Sequence, residues 1–384
     1  MASLDAEVAV VGAGPVGAVT ALFAASGSRV VIVDQAHFPR DKPCGEGLLP
    51  PGRAILARLG IEGAVRDAGA PTLRGIAFGL LGRPQVSVHF PPHPDGAEGL
   101  GVRRLRFDAF LVERLQQNPN VAFHPGVMVS KIRLDGDAPA LVTSDGEIRA
   151  RFIAVADGLR SGLRHQLGWT IGPRGPHRYA VVGHWRDDRR LDPWVRITAD
   201  QGMEAYDGPV GPHERLIALL CTHDRMKDFA GRLNQRYREL VAGFRPEAGV
   251  PLDTAVAVGP FNYRASTVAR GGIFLVGDAS GFVDPISGEG LATGMQQGLA
   301  FSQAIRQPDP ESSYRRRHRR LTAGPRRATT LLVHLATSPR RADRAVRGMQ
   351  RAPGVMPKLL GMTLGYWGAG RLTPRDWLAL LTGR

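Results

Sequence analysis

Short aliphatic and β-branched runs punctuate the chain, and several of them end directly on glycine. Residues 7–12 (EVAVVG) read as a buried parallel strand, and residues 29–34 (RVVIVD) as a second one. The alanine-rich stretch 16–26 between them predicts a helix, which makes a βαβ unit at the start of the chain. Residues 50–59 predict a helix, 73–89 strands, and 91–99 a Pro/His/Gly loop. Phe107, Phe110, Leu111 and Leu115 recur at helical spacing within 104–117. Residues 121–123, 127–134 and 140–143 predict strands around the Asp135-Gly136 and Asp145-Gly146 turns, with a further buried strand at 153–156. From 172 to 263, strand-like runs alternate with Pro/Gly turns, interrupted by one expected helix at 226–244. A buried strand at 272–276 and a helix at 288–305 follow. Beyond residue 310 the chain is helical and basic, with breaks expected at Pro325, Pro339, Pro353, Pro357 and Pro374.

Three glycine-rich segments fall at strand ends. The first, Gly12-Ala-Gly14-Pro15-Val16-Gly17, sits between strand and helix. Its glycines allow a tight turn, close approach of a pyrophosphate, and close helix–strand packing, and the helix N-terminus offers free N–H groups. Asp34 ends the next strand, where an acid can bind a ribose hydroxyl pair. The second segment is Asp157-Gly158-Leu-Arg-Ser161-Gly-Leu-Arg164. The third, residues 277–294 (GDASGFVDPISGEGLATG), packs five glycines, one proline and two aspartates after an apolar run. Asp278 is placed to accept hydrogen bonds from a polyol. The helix that follows is placed to stabilise negative charge on a flat ring.

Composition narrows the class. A chain of 384 residues, 43% hydrophobic and 22% charged, suggests a globular protein of two or three domains. The formal charge of +15 is carried almost wholly by arginine, because lysine occurs only at 42, 131, 227 and 358. Such a surface suits nucleic acid, lipid headgroups or acidic ligands, and an arginine-biased genome produces it too. No nucleic-acid module is recognisable, so no nucleic-acid partner is expected. Two cysteines, Cys44 and Cys221, make neither a zinc site nor a disulfide framework, and a cytoplasmic setting without a metal fits. The basic stretch 314–320 together with apolar 359–367 raises the prospect of peripheral contact with an anionic membrane.

The three motifs, in this order, resemble the FAD-dependent oxidoreductases of the para-hydroxybenzoate hydroxylase-like superfamily across residues 5–310. The segment 40–48 (RDKPCGEGL), the Gly288-Glu-Gly290 version of the third motif and the VRRLRFDAF stretch resemble its geranylgeranyl reductase and halogenase branch. The resemblance implies FAD, with Gly12, Gly14 and Gly17 (and Pro15 and Val16 between them) at the pyrophosphate. It implies Asp34 at the adenosine ribose with Gln35 beside it, and Arg40 and Arg104 as cofactor-contacting arginines. Gly277 and Asp278 would hold the ribityl chain, and Gly288, Gly290 and Leu291 would lie near the pyrimidine edge of the ring. Gly45, Met128 and Pro285 complete the implied contacts. Asp157 and Gly158 would touch the cofactor indirectly, and NAD(P)H is the implied electron donor.

The expected fold is α/β. A Rossmann-like FAD-binding domain (1–72, 100–171, 264–310) is interleaved with a smaller α+β substrate domain on an antiparallel sheet (73–99, 172–263), and C-terminal helices span 311–384. The resemblance admits oxygenation, double-bond reduction and halogenation. Halogenation is disfavoured: no lysine lies between Lys42 and Lys131, and Trp185 and Trp194 do not form the halogenase Trp-x-Trp-x-Ile-Pro signature. The expectation is a monooxygenase (hydroxylation or epoxidation through a flavin C4a-hydroperoxide) acting on a lipophilic small molecule, with geranylgeranyl reductase-like reduction of carbon–carbon double bonds as the alternative and a halogenase or a non-catalytic flavin-binding protein ranked below both. No catalytic residue stands out. His89, His93 and His184 are expected in surface or structural roles.

Overall fold

The computed structural model describes residues 5–173, 177–189 and 191–383. Its first strand, Ala6–Val11, lies between Val30–Asp34 on one side and Gly146–Val155 on the other, parallel to both, with Val8 opposite Val30 and Phe152. Val121–Pro125 extends the sheet beyond Val30–Asp34, and Ile273–Leu275 extends it beyond Gly146–Val155. Residues 8–11, 30–33, 152–155 and 273–275 of these strands are continuously apolar because both faces are covered there. Val8, Val10 and Ile32 pack on the helices Pro15–Ala24, Arg104–Gln116 and Gly290–Ala304. Ala9, Val11, Val33 and Ile153 face the other way, towards Leu141, Leu163 and Trp169.

A second sheet runs Val250–Pro251, Arg178–Arg186, Glu214–Thr222, Met203–Pro209, Trp194–Asp200, Gly75–Leu80, Val86–His89. All its pairs are antiparallel except Trp194–Asp200 with Gly75–Leu80, which is parallel, Trp194 opposite Gly75. Those two strands are separated in sequence by residues 81–193, which include the helix Arg104–Gln116 and the first-sheet strands Val121–Pro125 and Gly146–Val155, so no hairpin forces them antiparallel. Alternation along the strands divides the sheet's faces. Val181, Ile217 and Leu219 pack beneath the helix Leu233–Phe244, whereas Ala180, Val182, Leu216, Ala218 and Leu220 point towards the first sheet. The single helix expected at 226–244 is divided into His223–Met226, Lys227–Phe229 and Leu233–Phe244, with Gly231 at φ 71° between them.

The C-terminal helices pack on the Gly75–Leu80 and Val86–His89 strands through Leu359, Val346, Met349 and Leu380. The first of them, Pro310–Ala336, runs through Pro325 rather than breaking there. Gly324 has no Cβ to collide with the proline ring, which removes part of the usual penalty on a helical residue before proline. Pro339 and Pro374 sit at helix starts, where the missing N–H costs nothing, and Pro357 lies in the first turn of Val355–Thr363. In the basic 314–320 stretch, Tyr314 and His318 form the buried stripe while Arg315, Arg316, Arg319 and Arg320 are exposed. Among the described residues no helix is long and apolar enough to cross a membrane.

Candidate functional site

At the end of the first strand Gly12 turns at φ 97°, and a Cβ there would lie 2.6 Å from the Ala156 carbonyl oxygen. Gly17 sits so close that its Cβ would lie 1.7 Å from the Gly12 oxygen. Gly14 differs: its missing Cβ opens onto two guanidiniums, Arg40 Nη2 at 3.4 Å and Arg104 Nη2 at 3.7 Å. Arg104 is buried and gripped by Asp108 through two bonds of 2.6 and 2.7 Å, which keeps it charged. Arg40 lies within 3.5 Å of Asp34 and 3.7 Å of Asp108, and its Nε is buried without a hydrogen-bond partner among the described residues. Asp34 accepts from the backbone N–H of Ala13 (2.7 Å) and of Ala36 (2.8 Å). A carboxylate has about four acceptor sites, so capacity for a sugar hydroxyl remains.

Lys42 joins these cations. It lines the cavity, and its Nζ would meet a Cβ on Gly158 at 2.9 Å. Crowding by protein, then Arg104 and Arg40, pushes its pKa down, while Asp278 and Asp34 partly offset this. Three cations therefore converge at the glycine turn, in a place suited to a doubly charged pyrophosphate.

The second motif serves the third. Ser161 caps the short helix Gly162–Gln166 by accepting from Arg164 N–H at 3.0 Å. The Arg164 side chain is 1% exposed and donates to the carbonyls of Ala279 (3.0 Å), Asp278 (3.3 Å) and Leu159 (3.0 Å). Burial lowers its pKa, with Asp157, Tyr263 and Asp278 opposing. Asp157 takes an N–H from Leu163 at 3.4 Å, and its Oδ1 is buried without a hydrogen-bond partner among the described residues.

The glycines of the third motif do three jobs. Gly277 turns at φ 63° against Val16, and Gly288 at φ 67° ends the turn Pro285–Ser287, which Asp284 caps through Ile286 N–H at 3.0 Å. The helix therefore starts at Gly290 rather than at the expected residue 288. Gly290 leaves its N-terminus open towards Asp278, whose Oδ1 would lie 3.9 Å from a Cβ there. Gly294 and Gly298 let this helix cross Pro15–Ala24 closely, since added Cβ atoms would come within 2.5 Å of Val16 and Thr20. Burial raises the pKa of Asp278, with Lys42, Arg104 and Arg164 opposing.

A cavity of about 250 Å³ joins these motifs to the second sheet. One end is lined by Gly14, Pro15, Val16, Gly17, Lys42, Gly45, Arg104, Gly158, Gly277 and Asp278. Pro285, Gly288, Gly290 and Leu291 line its middle, and Val182, Ile197, Leu216, Leu220, Val258 and Phe261 the apolar end.

Most of the residues singled out from sequence thus meet around one cavity. Gly12, Asp34, Arg40 and Asp157 do not line it, although Arg40 stands beside the lining residue Gly14; Gln35 and Met128 do not line it either, and both are exposed beside Asp34 at the surface edge of the first sheet. Of the histidines, His93 stacks on Tyr366 at 3.7 Å between ring centres, and His89 lies 4.8 Å from Trp194. His184 is buried in an ionic network. Sequence reasoning passed over Lys42, although its rarity was a signal. Glu289 was also missed: burial pushes its carboxyl up to about 7, and Asp278 adds to the rise. Its Oε2 has no hydrogen-bond partner among the described residues. His318, bonded to Ser280 Oγ at 2.9 Å from a distant helix, left no local trace.

The FAD binding domain family matches residues 5–307. Among curated proteins, the chain is 31% identical over 318 residues to the menaquinone reductase of Mycobacterium tuberculosis (strain H37Rv), covering 78% of this chain and 76% of that one. It is 28% identical over 339 residues to digeranylgeranylglycerophospholipid reductase 1 of Methanopyrus kandleri, covering 82% and 85%. Among solved structures, a flavoprotein/dehydrogenase from Cytophaga hutchinsonii superposes with a TM-score of 0.85 at 21% identity, covering 97% of this chain and 98% of that one, which shows the shared fold.

Proposed function

Since the chain belongs to the FAD binding domain family and is an FAD-dependent oxidoreductase, we propose that it reduces a carbon–carbon double bond of a lipophilic quinone or isoprenoid, with NAD(P)H as electron donor. The observation that carries this reading is the cavity: a cation-lined glycine cradle at one end opens directly into an alkyl-walled chamber at the other. A phenol awaiting hydroxylation needs a partner for its hydroxyl group, and burying it without one is costly. Val182, Ile197, Leu216 and Leu220 instead suit a hydrocarbon chain. The reductase names of the two curated relatives support reduction over the oxygenation favoured from sequence.

Bound FAD would supply the hydride chemistry, and the protein supplies binding, orientation and exclusion of water. In this reading Arg40, Lys42 and Arg104 neutralise the pyrophosphate against Gly14, and Asp34 accepts from the adenosine ribose. Asp278 accepts from the ribityl hydroxyls, with Arg164 fixing its backbone. The N–H groups of Gly290 and Leu291, at the start of the helix Gly290–Ala304, would hold the pyrimidine side of the ring, where the helix dipole favours negative charge. The apolar 359–367 stretch expected at the lipid is largely core, with Leu359, Leu360, Met362 and Leu364 buried; exposed arginines on Pro310–Ala336, with exposed Leu378 and Leu381, instead support drawing such a substrate from an anionic lipid surface.

The test is anaerobic turnover of menaquinone in detergent with NADPH or NADH, followed by reoxidation of the quinol head in air. The expected product retains two extra hydrogens by mass spectrometry. Turnover only in air, with one oxygen atom gained, would overturn reduction and return the assignment to oxygenation.

A further inference from the structure

We propose that His184 is a positioning residue, which as an imidazolium holds Glu46 and through it the cavity-facing loop 42–47 in the shape that receives the cofactor. The inference rests on the reading of this cavity as the FAD site. Glu46 is a non-glycine residue at φ 53°, a conformation that persists only where surroundings impose it. Its side chain is 1% exposed. Oε1 accepts from Arg104 N–H at 2.6 Å and Arg103 Nη1 at 3.3 Å, and Oε2 meets His184 Nε2 at 3.0 Å. The Val102 N–H bonds the Glu46 carbonyl at 2.8 Å, and the Glu46 N–H meets Cys44 Sγ at 3.4 Å. One carboxylate thus ties the loop to the start of the arginine helix and to the second sheet.

His184 completes the tie from that sheet. Its Nδ1 meets Asp253 Oδ2 at 2.5 Å, and the His184 backbone N–H donates to Asp253 Oδ1 at 2.9 Å. Each ring nitrogen therefore faces a carboxylate, and only the protonated ring donates to both. The charged groups around it are Glu46, Asp253, Asp41 and Arg103, the arginine bridging all three carboxylates. Burial opposes the ring's charge, but the bonds to Asp253 and Glu46 outweigh it and push its pKa up to about 9. The sign is that of a raised basic group: the tie is complete below the ordinary imidazole range and is lost as pH rises through about 9.

Cys44 reports the loop without any need for cofactor. The chain has two cysteines, and Cys221 is 0% exposed while Cys44 is partly open to the cavity. Labelling by an aromatic disulfide is compared between wild type and His184→Gln at each pH, on the protein as purified and with saturating FAD, each rate divided by that protein's own thiolate fraction read from its ultraviolet absorbance, since Glu46 also acts on the Cys44 thiol. Losing a charge-assisted bond predicts about tenfold faster labelling in His184→Gln near neutral pH. The ratio should fall to one as pH passes about 9. Asp253→Asn should behave likewise, and His184→Lys, which keeps a cation, should label slowly. Equal rates in His184→Gln and Asp253→Asn at neutral pH, or a ratio indifferent to pH, overturn the proposal. Visible absorbance separates the two readings: a correct ratio in protein that never retains FAD sinks the cofactor site and leaves the tie, whereas FAD retention with a flat ratio sinks only the tie.

Discussion

Three glycines of one motif carry different loads, and the distinction is measurable at single residues. Gly12 and Gly17 are walled in by backbone oxygens at 2.6 and 1.7 Å from their would-be Cβ atoms, so any side chain there displaces the chain itself. Gly14 has an ordinary backbone, φ −66° and ψ 175°, and faces only the guanidinium ends of Arg40 and Arg104. A carboxylate introduced there is drawn to those guanidiniums and takes the place of a pyrophosphate. Gly14→Glu should therefore purify folded, with a melting temperature no lower than that of cofactor-stripped wild type, and colourless. A yellow Gly14→Glu protein by visible absorbance would remove the phosphate role from this turn.

Between elements, the decisive contacts are those of small residues. Gly298 sits where Gly290–Ala304 crosses Pro15–Ala24, and its Cβ would lie 2.5 Å from Thr20 Oγ1 and 3.2 Å from Thr20 Cα. Thr20 cannot easily rotate away, because its hydroxyl donates to the Val16 carbonyl at 2.7 Å. Alanine gains up to about 1 kcal/mol in helix propensity, but overpacking at such a crossing costs about 1–3 kcal/mol. Gly298→Ala should lower the urea midpoint, and adding Thr20→Ala should restore part of the loss in a double-mutant cycle. The βαβ unit and all three glycine motifs were legible in the sequence because each is local: a strand, a turn and a helix start within about twenty residues. Arg164 clamping Asp278, His318 reaching Ser280 and His184 meeting Glu46 were not legible. Each joins residues far apart in the chain, and nothing in the local pattern of either partner announces the other. Pro325 misled for a related reason, since the glycine before it changes the cost of helical geometry there.

Across the whole molecule, the cavity is a joint product: the first sheet presents glycine turns and cations at its strand ends, and the second presents one alternating face of alkyl side chains. That division predicts that the two ends fail separately. Ala218 is 3% exposed on the chamber face, paired between Val182 and Tyr206. Phenylalanine at this position projects into the chamber from the second sheet, whereas Gly14, Arg40 and Asp278 belong to the loops at the first sheet's strand ends. Ala218→Phe should keep wild-type FAD content by visible absorbance while losing turnover of long-chain substrates, and a short-chain quinone analogue should recover some of it. If FAD content falls together with turnover, the chamber and the cradle are not separable. If turnover of the long substrate is unchanged, the lipophilic substrate does not enter along this face of the sheet.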